Sequence, residues 1–209
     1  MTIEEFHQEF MNELAERAGS DETFTRSTFV DHMCAMLEDE GFITGYSQTD
    51  YSDKPRGIAV DAWSFDPEHS VLSLVIADFR DSYILENLTR TDTEKAFKRL
   101  LRFVQSALGT DLSDLVRKSS PEGELAWLIR GHQAEISRIS LILVTNAQLS
   151  SKVEALPEDQ AGGFPTTYEV WDLGRIHRSD TSGKTREDIV IDFSAQEGGG
   201  LPCLPAYVG

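Results

Sequence analysis

Apolar positions near the start of the chain recur at helical spacing. Ile3, Phe6, Phe10 and Leu14 lie close to a 3.6-residue period and Gly19 suits a stop, which predicts a helix over Ile3 to Ala18. A second helix is expected from Ser27 to Glu40, with Phe29, Met33, Met36 and Leu37 inward and Gly41 closing it. The pattern then changes. GIAVDAWSFDPEHSVLSLVIADFR, from Gly57 to Arg80, is two β-favouring runs around Asp66-Pro67-Glu68-His69, residues that favour turns. Gly57 to Phe65 and Ser70 to Phe79 are therefore expected as adjacent antiparallel strands. Asp92 or Thr93 is the expected cap of a helix carrying Phe97, Leu100, Leu101, Val104 and Leu108 and ending at Gly109. Another amphipathic helix is expected over Pro121 to Glu135. Arg138 to Thr145, RISLILVT, reads as a strand buried on both faces and belonging to the hairpin's sheet. Short strands at Tyr168 to Val170 and Ile189 to Ile191 flank a turn of helix near Trp171 to Arg178. This order predicts an α/β fold with a mixed central sheet and helices on both faces.

Side-chain parity makes the hairpin chemically interesting. With residues 66–69 as the loop, Phe65 faces Ser70 and Asp61 faces Leu74, which places Asp61, Asp78 and Arg80 on one face of the sheet. A bulge would move the second strand's side chains to the other face. Two acids and a cation meeting on a hairpin suit metal-dependent phosphodiester chemistry.

Charge works against a nucleic-acid partner. The chain has 209 residues and a formal net charge of −17, and its first fifty residues carry twelve acids against Arg17 and Arg26. Neutralising phosphates requires the reverse balance. A basic stripe stands against this background: Lys95, Lys98, Arg99 and Arg102 fall at i, i+3, i+4 and i+7 of the third helix. It reads as a solvated helix face, or as a docking strip for nucleic acid or for the acidic N-terminal helices of another copy.

No apolar run approaches the roughly 20 residues that span a bilayer, and the acidic N-terminus lacks a secretory pattern, so the default location is cytoplasmic with no membrane partner. Cys34 and Cys203 supply neither a disulfide framework nor a zinc spacing and read as buried or incidental thiols. The five histidines are scattered. Trp171 reads as a core anchor, with Asp172 as a cap or ion-pair partner, or together with Arg175 as a recognition surface. Pro157 to Thr167 and Ser179 to Thr185 read as polar breaks, and Gly198-Gly199-Gly200 as a flexible turn. The chain is expected to be one α/β domain: a helical start at 1–41, a core hairpin at 57–80 and an exit segment at 198–209.

The order of acid on a helix, Asp on a strand and acid-x-cation on its hairpin partner resembles the PD-(D/E)xK restriction-endonuclease-like superfamily. Asp61 and Asp78 match its strand acids, Arg80 stands where Lys is usual, and Glu40 or Glu38 matches the helical acid. TYEVWDLGRIHR, and Asp192-Phe193 followed by GGGLPCL, together with the hairpin and ISLILVTNAQLS, look like the N-terminal part of the AIPR family, the abortive-infection phage-resistance proteins. The resemblance implies a bacterial phage-defence module and a longer parent protein, whose C-terminal region becomes a partner beside a further copy or another defence protein. It also implies a metal set of Glu40, Asp61 and Asp78 for Mg²⁺ or Mn²⁺ if the site functions, with Asp61, Asp78 and Arg80 as catalytic positions. Arg80 departs from that pattern. Arginine is planar and permanently charged, so it clamps carboxylates well and transfers protons poorly. The expectation is a catalytically degenerate binding or regulatory domain, with an active metal-dependent nuclease as the alternative. Arg80→Lys is the single change expected to raise metal binding or cleavage most.

Overall fold

The computed structural model describes residues 1–19, 22–109, 112, 116–151 and 160–184. Helix α1 (Ile3–Ala18) opens on a capping box in which Thr2 accepts from the Glu5 N–H and the Glu5 carboxylate returns to the Thr2 N–H. Its apolar stripe buries Phe6, Phe10, Met11 and Leu14. Helix α2 (Glu22–Asp39) begins earlier than the apolar spacing predicts and buries Phe29, Val30, Met33, Cys34 and Leu37.

Strands β1 (Ser47–Asp53), β2 (Ile58–Asp66) and β3 (Val71–Asp78) follow as an antiparallel meander. After a short β4 (Asn87–Leu88) come α3 (Arg90–Leu108), α4 (Pro121–Gly131), a 3₁₀ turn at Gln133–Glu135 and β5 (Arg138–Thr145). Then β6 (Gln148–Leu149), β7 (Thr166–Trp171) and α5 (Leu173–Lys184) complete the described elements. Strand β5 lies parallel to both β3 and β7, giving a five-stranded mixed sheet in the order β1-β2-β3-β5-β7. β4 and β6 form a separate parallel pair.

Helices cover both faces of this sheet, as the α/β reading requires. On one face Phe97, Leu100, Phe103 and Val104 of α3, with Leu125 and Ile129 of α4, pack on Leu72, Leu74, Ile76, Leu141 and Leu143. On the other, α1, α2 and the start of α5 pack on Ala62, Val75, Ile142 and Val144. β5 serves both cores, which is why RISLILVT is nearly continuous in apolar residues.

The hairpin and β5 form one sheet as expected, but the register differs. Trp63, not Asp61, pairs with Leu74, and Phe65 pairs with Leu72, so the connection is residues 67–70. Asp66 explains the displacement. Its Oδ1 accepts from the Glu68 and His69 N–H groups, and Ser70 takes the left-handed conformation that completes the reversal. The α3 cap is Thr89, with Asp92 as its reciprocal partner, instead of Asp92 or Thr93. The helix expected to reach Glu135 ends at Gly131, and the break expected at Ser179 to Thr185 is helical through Lys184.

Residues Met1–His177 form one compact unit; of Arg178–Gly209, which are grouped apart from it, 178–184 are described. The expected strand at Ile189 to Ile191, the Asp192-Phe193 pair, Cys203 and the 198–209 exit segment lie outside the described residues. No described helix is long and apolar enough to cross a membrane.

Candidate functional site

Asp61 sits where β2 changes its facing. Val60 belongs to the α3 core and Ala62 to the α2 core, so strict alternation fails between them. Opposite, the β1–β2 register slips between Gln48 and Tyr51, and Asp50 adopts φ 49°. This irregularity turns the Asp61 carboxylate toward α2, as bulges re-aim side chains elsewhere. Its Oδ1 accepts from the Arg26 Nη2 at 2.8 Å and its Oδ2 from the Ala77 N–H at 2.6 Å. The second bond lies beyond Ala62↔Val75, where the regular β2–β3 pairing ends. Arg26 also approaches Asp50 at 3.7 Å. Burial raises the Asp61 carboxyl above its ordinary range, against the opposing pull of Arg26 and the Ala77 amide.

Asp78 takes different partners. It follows Ile76 on the α3 face, and Arg80 Nε and Nη2 both reach its Oδ2, at 3.2 and 2.9 Å. The same guanidinium donates to Glu86 Oε2 at 2.8 Å and to Asp92 Oδ2 at 3.2 Å. Buried Asn146 fixes the backbone there: its Oδ1 accepts from the Arg80 N–H at 2.8 Å and its Nδ2 donates to the Arg80 carbonyl at 2.7 Å. Thr145 donates to the Asp78 carbonyl at 2.8 Å, closing the end of the β3–β5 ladder. Burial disfavours the Arg80 charge, but Glu86, Asp78 and Asp92 outweigh that penalty and raise its pKa.

Asp78 and Arg80 do come together as expected, but the expectation that Asp61 joins them on one face is corrected. Asp61 is held from the α2 layer and Asp78 from the α3 side, and the cause is the irregularity at Asp61. Glu40 lies at the C-terminal end of α2, where its N–H donates to the Met36 carbonyl, while the Glu38 carboxylate accepts from the Gly45 N–H at 2.9 Å. Among the described residues no group of three or more His, Cys, Asp or Glu is arranged to hold a metal ion. Glu40, Asp61 and Asp78 thus form no such group. Asp61 and Asp78 also each pair with an arginine, so the donor set as placed does not fit Mg²⁺ or Mn²⁺.

Arg26, Asp50, Glu86 and Asn146 were not singled out from the sequence. The contacts of Arg26, Asp50 and Asn146 join positions tens of residues apart, and Glu86, six residues from Arg80, stands in no pattern that marks it.

The basic stripe lines a real concavity. Lys95, Lys98, Arg99 and Arg102 of α3 face Lys54 and Gly57 of the β1–β2 turn across a groove of about 620 Å³. Arg99 Nη2 donates to Ser52 Oγ at 2.8 Å, which ties the helix to the meander. Gly57 has φ 65°, and an added Cβ would lie 2.5 Å from Arg102 Nη1. At the opposite end of the sheet, Trp171 is buried and Asp172 caps α5, accepting from the Arg175 N–H at 3.0 Å and the Leu149 N–H at 2.9 Å. Arg175 lies over the Phe42 and Trp171 rings and pairs with Glu169 at 2.8 Å.

Residues 29–178 match the family model described as the abortive infection phage resistance protein N-terminal domain. The match covers most of the chain, and the chain belongs to that family. No curated protein and no solved structure matches it.

Proposed function

We propose that this abortive-infection module is a catalytically degenerate, nuclease-like domain that binds or regulates instead of cutting. The helix, three-strand meander, helix and parallel strand from α2 to β5 support a restriction-endonuclease-like core, with Asp61 and Asp78 on its two adjacent strands. One observation carries the loss of catalysis: each strand acid is already committed to an arginine, Asp61 to Arg26 and Asp78 to Arg80. A guanidinium satisfies a carboxylate through several donors at once and has no proton to exchange near neutral pH. Asp61 and Asp78 are thereby structural ion pairs. The module works in the cytoplasm, and its partners are the C-terminal region of its parent protein and further copies of the chain.

The test is incubation of the purified chain with Mg²⁺ or Mn²⁺ and single- or double-stranded DNA and RNA, beside calorimetric titration of the metals. Negligible cleavage and weak or no metal uptake are expected. Robust metal-dependent cleavage, abolished by Asp61→Asn or Asp78→Asn, would instead establish the active-nuclease reading. The adjacent-strand position of the two acids is what favours that alternative.

A further inference from the structure

The groove between α3 and the β1–β2 turn collects cations in a chain whose net charge is −17. Lys54 comes from one wall and Lys95, Lys98, Arg99 and Arg102 from the other. The carboxylate in its lining, Glu94, is held by Arg90 Nε at 2.8 Å. Arg90 and Lys98 keep the Glu94 carboxyl below the usual range. Concave surfaces lined by one sign of charge focus potential and concentrate the opposite ion.

The dimensions narrow the ligand. From Lys95 to Arg102 the helix advances about 10 Å, the span of roughly three phosphates on one nucleic-acid strand. An extended duplex gains its affinity from a longer row of neutralised phosphates and would run onto the acidic remainder of the surface. A volume of about 620 Å³ instead falls in the range of small-ligand pockets. The guanidinium of Arg99, tethered by Ser52, and that of Arg102, seated against Gly57, have the fork geometry that suits phosphate oxygens. The aliphatic stems of the lysines and arginines give apolar walls on which a flat ring can lie.

We propose that this groove binds a compact polyphosphate ligand of the nucleoside triphosphate class, its phosphates on Lys98, Arg99 and Arg102. The proposal deepens the reading of the domain as a binding module, and the two can fail separately. Cleavage is scored at Asp61 and Asp78, and ligand binding at α3.

The test is calorimetric titration of the 209-residue chain with ATP, GTP and inorganic triphosphate, and with a 20-nucleotide single strand and a 20-base-pair duplex, at 50 and 200 mM salt. Saturable binding of ATP or GTP is expected, weakened at least tenfold by Lys98→Gln with Arg102→Gln and retained in Lys118→Glu. Lys118 lies over the Trp127 ring, outside the groove lining. Circular dichroism melts verify that each variant is folded, and Lys98→Gln alone serves if the double variant is not. No nucleotide binding by the unmodified chain, or binding that the glutamine variants leave unchanged, overturns the proposal. Tighter binding of either oligonucleotide than of ATP through the same residues overturns the compact-ligand assignment and makes the groove a nucleic-acid interface.

Discussion

Arg26 of α2 reaches across thirty-five positions of sequence to hold the buried Asp61 of β2 at 2.8 Å. Asp61 is 2% exposed, whereas the Arg26 side chain retains 41% of its accessibility, so the pair is a buried charge covered by a half-solvated one. Removing only the cation leaves the carboxylate uncompensated. Arg26→Met is expected to lower unfolding stability at neutral pH by about 2 kcal/mol, below the value for a fully buried pair because Arg26 is partly solvated. Arg26→Met with Asp61→Asn should recover most of the loss. Urea unfolding of the four members of this cycle measures it, and additive effects would show that the pair is not coupled.

Arg80 serves three carboxylates through three nitrogens, and lysine offers a single ammonium on a flexible stem. Arg80→Lys is expected to release at least one of Asp78, Glu86 and Asp92. The cluster is about a third exposed, so the cost should be about 1 kcal/mol, or a fall in Tm of roughly 2–4 °C. An unchanged melting curve would mean that the network contributes nothing to stability.

How far these sites were legible follows from where their information lies in the chain. β5 and α1 have the predicted bounds because their apolar periods are local and uninterrupted. β1, SQTDYSD, escaped because it is polar, with one neighbour in the sheet among the described residues and no apolar run to announce it. That omission hid the slip opposite Asp61, and with it the turn of that carboxylate toward α2. The hairpin loop moved by one residue, which shifts the pairing by two, preserves parity and would have kept the acids together. The irregularity separated them. The stripe on α3 was visible from spacing alone, but the opposite wall at Lys54 and Gly57 required the tertiary structure.

Cys34 lies wholly inside the core against α1 and the sheet. Burial first, then the acids Asp31, Asp61 and Asp50, push its thiol up to about 12. Thiolate is the reactive form, so native Cys34 is expected to resist a thiol-directed disulfide reagent at pH 8 and to react once the chain is unfolded in guanidinium. A Cys203→Ser background isolates its signal. Stoichiometric labelling of the folded protein within minutes would contradict the buried placement.

The acid limb of stability should separate Asp92 from Asp61, because the structure shifts their carboxyls in opposite directions. Thr89 Oγ1 donates to Asp92 at 2.7 Å, and together with the Thr89 N–H and Arg80 it holds the Asp92 carboxyl below its ordinary range. A depressed carboxyl contributes stability that is present above about pH 4 and is lost as pH falls through the folded-state value. Asp61 is raised by burial, so its favourable contribution is present below about pH 4 and is lost as pH rises through its folded-state value. Asp92→Asn should therefore be less stable than the parent at pH 7, and Asp61→Asn more stable, since the amide keeps an acceptor for the Ala77 N–H and Arg26 keeps Asp50 nearby. Both differences should shrink toward pH 2 as the parent carboxyls protonate. Urea unfolding from pH 7 to pH 2 resolves the two signs, and a destabilised Asp61→Asn at pH 7 would show that Arg26 and the Ala77 amide outweigh burial at that site.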